Sequence, residues 1–345
     1  MAMIRNKQVL FKDYVKGSPK EEDMILTESV IGSKVPEGST AILVKNLYLS
    51  CDPYMRLMMS DPTEGGHPLF GSFTPGKIFF GFGISKVVDS GSPDFKAGDL
   101  IMGDVGWEEY TLIEYTDKVR KIEHADFPLF YYIGALGLTG FTSYIGFYEL
   151  CAPKKGETIF VSSASGAVGQ IVGQFAKLMG CYVVGSAGSQ EKINLLKNKF
   201  GYDEAFNYKE EDDFVSALKR HCPKGIDMYF ENVGGRMLDA VLMNMNPHGR
   251  IAVCGMISQY NLTESEGVHN MYCVVQKRIK MQGFLMRDYL HLFPKFTELV
   301  VQYLREGKLV CVDDIVKGID KAPFALVRIF SGHNIGKQVV EIAQD

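Results

Sequence analysis

The chain has 345 residues, enough for two domains at the usual size of about 100–200 residues each. Charged residues make up 23% and hydrophobic residues 46%, as in an ordinary soluble globular protein. A formal net charge of -4 gives no electrostatic reason to expect nucleic acid as a partner.

Taken in chain order, Met1-Ala-Met-Ile-Arg-Asn-Lys-Gln8 carries no apolar run of the kind a secretory signal needs. Short runs of strand character follow at Thr40–Leu49, Ile78–Val88, Asp99–Met102 and Glu109–Ile113. Pro36-Glu-Gly38, Pro75-Gly76 and Gly91-Ser-Pro93 punctuate them, which predicts a mostly antiparallel, barrel-like domain over residues 1–128. The tail 309–345, with a strand at Gly336–Ile342, is expected to return to that domain.

Phe127 to Tyr148 runs 22 residues without a charge, long enough to span a bilayer. Its glycines, Pro128 and hydroxyl residues favour two helices buried against a sheet and joined near Gly137. Beyond it, strands and helices alternate. Thr158–Val161 is an apolar strand, Ala164-x-Gly166-x-x-Gly169 a tight turn, and a helix follows in which Gly173 is spaced to approach a sheet closely. This is the dinucleotide fingerprint with alanine in the first glycine slot. A pyrophosphate needs backbone N–H groups unobstructed by Cβ atoms at the positive end of a helix. Strands at Cys181–Gly185, Ala205–Tyr208, Ile226–Glu231, Arg250–Cys254 and Lys280–Leu285 are expected, with helices at Gln190–Phe200, Asp212–His221 and Arg236–Met245. Such alternation over 129–308 builds a doubly wound parallel sheet, giving an α/β fold with a second, strand-rich domain. The acidic run Lys209–Asp213 reads as a solvated helix start.

The second strand separates the two nicotinamide dinucleotides. NAD sites usually place Asp or Glu at its end for the ribose 2′-hydroxyl. Here it ends Gly185-Ser-Ala-Gly188-Ser189, with no acid until Glu191, which leaves room for a 2′-phosphate. Lys192 follows within reach and Tyr208 ends the third strand, so NADPH (NADP+) is the expected cofactor. Taken alone, Lys192 reads equally well as an ordinary surface lysine. The seven cysteines stand no closer than 19 positions apart, which excludes local CxxC pairs and suggests reduced thiols in the cytoplasm. The seven histidines, His67 among them, are as dispersed and contain no HExxH, so no metal site is expected.

This arrangement resembles the medium-chain dehydrogenase/reductase superfamily along essentially the whole chain. Cys51-Asp-Pro-Tyr-Met-Arg56, Gly106-Trp-Glu-Glu-Tyr110, Tyr229-Phe-Glu-Asn-Val-Gly-Gly235 and Gly255-Met-Ile-Ser-Gln-Tyr260 are similar to its zinc-independent double bond reductases, the plant 2-alkenal reductases and their leukotriene B4 dehydrogenase (prostaglandin reductase) relatives. The Gly-His-Glu element and four-cysteine lobe of the zinc-dependent members are missing. The resemblance implies a Rossmann-type domain with a GroES-like substrate domain, a homodimer, and hydride transfer from NADPH to the β-carbon of an α,β-unsaturated aldehyde or ketone. Negative charge then develops on the carbonyl oxygen, and a hydrogen-bond donor must stabilise it.

In similar enzymes that donor is a tyrosine after the fifth strand, which matches Tyr260. Tyr54, expected on a loop at a strand exit, matches a substrate-lining tyrosine; a packed aromatic with a satisfied hydroxyl is the competing reading. By the same resemblance Gly166, Ala167 and Gly169 face the pyrophosphate, and Gly188, Lys192 and Tyr208 the adenosine phosphate. Asn232, Cys254 and Tyr260 line the cofactor, Phe284, Leu285 and Met286 flank the nicotinamide, and Asn334 closes over it. Two departures bear on the substrate. Phe82 stands where plant relatives commonly have tyrosine, and Leu138-Thr-Gly-Phe141 replaces their Met-Pro-Gly-Met. A quinone oxidoreductase of the same superfamily and a non-catalytic NADPH-binding protein are the competing functions. A carbonyl reductase is disfavoured because no Tyr-x-x-x-Lys pair occurs at Tyr208 or Tyr289, and a serine hydrolase because G-x-S-x-G is missing.

Overall fold

The computed structural model describes residues 2–64, 71–124 and 126–344; His67 lies outside the described residues. The chain divides into two compact units. The first runs through Ile133 and takes up Asp313–Asn334 and the chain from Gln338, and the second is Gly134–Val312 with Ile335–Lys337.

In the first unit, β1 (Met3–Phe11) and β2 (Met24–Gly32) pair antiparallel from Met3↔Gly32 to Phe11↔Met24. Sequence reading missed both. In β1 the alternation breaks halfway: Val9 and Phe11 are buried, Lys7 is exposed, and Asn6 on the opposite face is buried. Asn6 is tolerated there because its Nδ2 donates to Glu108 Oε2 at 2.8 Å. Next come β3 (Ile42–Ser50), α1 (Tyr54–Met58), β4 (Phe80–Ser90), β5 (Leu100–Gly106), β6 (Tyr110–Ile113) and β7 (Val119–Lys121). The core of this unit gathers Phe11, Phe73, Phe79 and Trp107, with ring centroids of Phe73 and Phe79 3.9 Å apart and of Phe79 and Trp107 4.7 Å apart. Burying each such side chain stabilises by about 1.5–3 kcal/mol.

The uncharged stretch 127–148 forms two helical segments on either side of Gly137, as expected, but neither is a plain α-helix throughout. It holds one 3₁₀ turn, Leu129–Tyr132, and then α2 (Leu138–Tyr144), which runs on as a π-helix over Ile145–Cys151. Within the second unit, Gly146 lets two rings approach that π-helix. A Cβ there would lie 2.4 Å from Phe230 Cε2 and 2.9 Å from Phe284 Cζ. Among the described residues no helix is long and apolar enough to cross a membrane.

The second unit continues with β8 (Thr158–Val161), α3 (Gly169–Leu178), β9 (Tyr182–Ala187), α4 (Gln190–Asn198), β10 (Glu204–Asn207), α5 (Phe214–His221), β11 (Ile226–Glu231), α6 (Gly235–Asn244), β12 (Met245–Val253), α7 (Tyr272–Lys277), β13 (Lys280–Gly283) and α8 (Phe293–Arg305). Its strands are parallel in the order β10-β9-β8-β11-β12-β13. Counted from β8 this is the 3-2-1-4-5-6 order of the dinucleotide-binding sheet. The doubly wound class expected from the sequence is therefore what forms. Phe160 stacks with Phe206 at 5.9 Å and Tyr229 at 5.3 Å in the core. Strand β12 starts earlier than expected because Pro247, His248 (φ 63°) and Gly249 disguise its first half.

The chain returns through β14 (Asp313–Lys317), α9 (Ala322–Ser331) and β15 (Lys337–Glu341). The second sheet reads β14-β15-β3-β4-β5-β7, with β6 on β3. Before β14, the segment 310–312 is bonded edgewise by side chains of α3. Gln174 and Gln170, one helical turn apart, each accept the N–H and donate to the C=O of Val310 and Val312 respectively, at 2.9–3.0 Å.

Candidate active site

In a sheet of this order ligands bind beyond the carboxyl ends of the strands where the order reverses, here at β8 and β11. After β8 the chain turns sharply. Ser163 takes φ 50°, a left-handed conformation rare outside glycine, and its carbonyl accepts the Gly166 N–H at 3.0 Å. A Cβ on Gly169 would stand 2.6 Å from Ala164 Cα, so the helix begins in contact with the turn. Alanine is accepted in the first glycine slot because β9 carries Gly185 opposite it, whose own Cβ would come within 2.7 Å of Ala164 Cβ. Gly173 does not meet the sheet as expected. The ring of Tyr202 lies over it, 2.1 Å from where a Cβ would be, and the Tyr202 hydroxyl donates to Gly169 O at 2.8 Å. Gly166 and Ala167 are half-exposed at the start of α3, where first-turn N–H groups lack intrahelical acceptors.

The end of β9 gathers the residues expected around a 2′-phosphate. Ser189 caps α4, its Oγ accepting the Lys192 N–H at 3.4 Å, and Lys192 is buried (9% exposed) rather than an open surface lysine. Gly188 has no Cβ, and one added there would stand 3.1 Å from Tyr208 Cε1 and Oη and 3.2 Å from Lys209 Cε. Sequence reading missed Lys209. It lies beside Tyr208, and in the text it only opens an acidic run.

After β11 the ends of two strands are tied together. Ser162 Oγ accepts the Asn232 N–H and the Tyr229 hydroxyl, both at 3.0 Å, and Asn232 Nδ2 donates to Ser162 O at 2.8 Å. Glu231, fully buried, accepts the N–H groups of Val233 at 2.5 Å and Gly234 at 2.9 Å through Oε1, and its Oε2 has no hydrogen-bond partner. Burial raises its carboxyl above the ordinary range, against the pull of those N–H groups. Burial likewise pushes the Cys254 thiol up to about 12, with Glu231 adding to the effect.

Tyr260 curls back over the end of β12. Its phenol oxygen accepts the Met256 N–H at 3.0 Å and would lie 2.8 Å from a Cβ on Gly255. Because the amide is the donor, the phenol's own proton is not used in that bond. Burial raises the Tyr260 hydroxyl above its ordinary value; the Met256 N–H opposes this, and Cys254 and Glu231 reinforce it. The group is therefore a neutral donor through the physiological range. Leu285 and Met286 are half-buried just beyond β13, while the Phe284 ring turns inward, edge-on to Phe230 at 6.4 Å.

Within the first unit, Tyr54 opens helix α1 and is not on the loop that was expected; the backbone is already helical at Pro53 (φ -60°, ψ -31°). A Cβ on Gly81 would lie 2.2 Å from Met55 Cε, 3.6 Å from Trp107 Nε1 and 3.8 Å from Tyr54 Oη. The indole N–H of fully buried Trp107 has no hydrogen-bond partner. Strand residues alternate in direction, so Phe82 faces away from the side of β4 where Gly81 meets Tyr54. Asn334 is half-buried after α9.

Comparison with known proteins follows the same division. Residues 7–122 match the family described as N-terminal domain of oxidoreductase, and 167–302 the family described as zinc-binding dehydrogenase. The zinc of that description finds no donor set here: no three His, Cys, Asp or Glu among the described residues could hold a metal ion together. The chain is 60% identical to the NADP(+)-dependent 2-alkenal reductase of Nicotiana tabacum, covering 99% of each. It is 54% identical to the (+)-pulegone reductase of Mentha piperita, covering 99% of this chain and 100% of that one. The crystal structure of CurA from Vibrio vulnificus in complex with NADPH superposes with a TM-score of 0.91 at 35% identity, covering 98% of this chain and all of the other.

Proposed function

Since this chain belongs to the zinc-independent double bond reductases of the medium-chain dehydrogenase/reductase superfamily, we propose that it reduces the carbon–carbon double bond of α,β-unsaturated aldehydes and ketones with NADPH. The observation that carries this reading is the Tyr260 phenol, whose oxygen is held by the Met256 N–H while its proton stays available for an oxygen acceptor. When bound, NADPH supplies a hydride to the β-carbon of the substrate.

The second unit is the dinucleotide-binding domain and the first the substrate domain in this reading. The residues around the glycine turn fit the cofactor: bare Cα atoms at Gly166 and Gly188, a helix start at α3, and no carboxylate at the end of β9. Gly166, Ala167 and Gly169 take the pyrophosphate, and Gly188, Lys192 and Tyr208, joined by Lys209, the 2′-phosphate. Asn232, Cys254, Leu285 and Met286 line the cofactor from the strand ends, with Asn334 from the tail; Phe284 supports Phe230 from behind. Substrate contact is assigned to Tyr54, whereas Phe82, expected from the sequence to share it, leaves β4 on the opposite face. Tyr260 donates its proton in a hydrogen bond to the carbonyl oxygen as charge builds there, keeping the enolate in place until its α-carbon is protonated. Phenylalanine at position 82 offers no hydroxyl, so the donor role is assigned to Tyr260.

The test is product analysis. With NADPH and a 2-alkenal or enone, reduced nicotinamide is consumed and mass spectrometry finds the saturated carbonyl. A saturated alcohol, or turnover of quinones alone, overturns the proposal. Turnover with pH supplies a second check. A phenol whose pKa is raised stays protonated, and able to donate, up to and beyond its ordinary value of about 10. We expect kcat at saturating substrate to stay level from about pH 6.5 to 9 and to fall only above about pH 10. An alkaline limb centred near pH 8 removes Tyr260 as the donor.

The protein is a cytoplasmic homodimer in this reading. All seven cysteines are free, as a reducing compartment permits. Strand β13 ends the sheet order, and α7, which leads into it, exposes Tyr272 (50%) and Val275 (79%). An edge strand beside exposed apolar side chains calls for a partner. Light scattering is expected to give twice the chain mass, and V275D to shift it toward the monomer; a monomeric parent protein rejects the assignment.

A further inference from the structure

The loop that carries Tyr260 is fastened at both ends, and the second fastening is made by side chains. On its descending limb, the Ile257 N–H donates to Asn232 O at 3.1 Å, and Ser258 donates to Val233 O through its N–H at 3.0 Å and its Oγ at 2.6 Å. These bonds tie the loop to the turn after β11. On the returning limb the carboxamide of Gln259 closes the loop on itself. Its Oε1 accepts the Glu266 N–H at 2.8 Å, and its Nε2 donates to Glu266 Oε2 at 3.1 Å and Ser258 Oγ at 2.8 Å. The closed loop runs from Gln259 to Glu266 and contains Tyr260.

This two-point clasp has a seat. Gly235, the first residue of α6, has φ 53°, and a Cβ there would come 2.2 Å from Glu266 Oε2 and 2.5 Å from Gln259 Nε2. Its neighbour Gly234, φ 78°, is bare toward Met256, whose Cβ would lie 2.8 Å from an added Cβ. Two left-handed glycines thus expose backbone on which the loop lies. The Glu266 carboxylate rests at the N-terminus of α6, where the helix dipole favours negative charge. We propose that the Gln259–Glu266 clasp, seated on Gly235, is the positioning device for Tyr260, fixing the phenol while Met256 fixes its oxygen. The inference rests on the donor role given to Tyr260 above. A neighbour in sequence that touches no substrate then controls the rate through geometry alone.

The experiment is a double-mutant cycle on the intact protein. Gln259→Ala is expected to lower kcat roughly ten- to a hundredfold, as a displacement of about 1 Å of a reacting group does. The NADPH dissociation constant, measured by fluorescence titration without substrate, should stay within about twofold. In the Tyr260→Phe background the same Gln259→Ala change should have almost no further effect on kcat, since nothing remains to be positioned. Hydrogen exchange of the amides over 257–266 should rise in Gln259→Ala, and the exposed Glu264→Ala on the same loop should keep the parent rate. If Tyr260→Phe leaves the rate unchanged, the donor role itself fails. If Tyr260→Phe is slow but Gln259→Ala is not, or if the two losses multiply, the clasp is not the positioning device.

Discussion

Replacing Tyr260 with phenylalanine is expected to lower kcat by about 10²–10³, the loss of one preorganised donor worth about 3 kcal/mol at the barrier. The substitution removes one oxygen and little volume. That oxygen accepts the Met256 N–H at 3.0 Å, so the loop loses one local hydrogen bond as well. The two effects separate by measurement. A lost ground-state bond changes the unfolding midpoint and leaves kcat alone, whereas a lost transition-state contact lowers kcat and kcat/KM together. The affinity for NADPH should hardly change, because none of the residues assigned to the phosphates is touched. A variant that turns over at the parent rate takes Tyr260 out of the mechanism. A variant that has lost cofactor binding makes it a structural tyrosine of the loop.

How much of this was legible in the text depended on what kind of group did the work. Where the backbone acts, the sequence was explicit. The strands Thr158–Val161 and Ile226–Glu231 stand where their apolar runs lie, because both are buried and bounded by turn residues. The glycine turn could be read because φ values and missing Cβ atoms constrain residue type. Where a side chain acts across distance, the text was silent or misleading. Gly173 looked like a contact with the sheet, yet Tyr202, 29 positions on, fills that space. Tyr54 looked like a loop residue because Pro53 precedes it, but proline suits the start of a helix as well as a turn. The short helix α1 has too few residues to show a period. The uncharged run 127–148 gave two helical segments about Gly137 but not their type, since apolar periodicity does not separate an α-turn from a 3₁₀ or π-turn. The clasp between Gln259 and Glu266 joins two polar residues of a loop, where no periodicity constrains either.

Lys192→Ala is expected to weaken NADPH binding about ten- to a hundredfold while leaving NADH nearly unaffected. A charge-assisted hydrogen bond is worth about 1.5–3 kcal/mol, and only the phosphorylated ribose presents the extra anionic oxygens. Position makes the lysine effective. It is buried in the first turn of α4, just after a strand end that carries no carboxylate, so its charge is screened less than that of an exposed side chain. Lys209 sets the floor on the loss. Its Cε approaches Gly188 beside Tyr208, and a second cation there would retain part of the preference. The double variant Lys192→Ala, Lys209→Ala should therefore lose discrimination almost completely, with kcat/KM for the two cofactors converging. Fluorescence titration of each single variant with NADPH and NADH separates the alternatives. If Lys192→Ala weakens both cofactors equally, the lysine packs helix α4 and does not read the phosphate. If neither lysine matters, selection against NAD rests only on room for the phosphate at the end of β9.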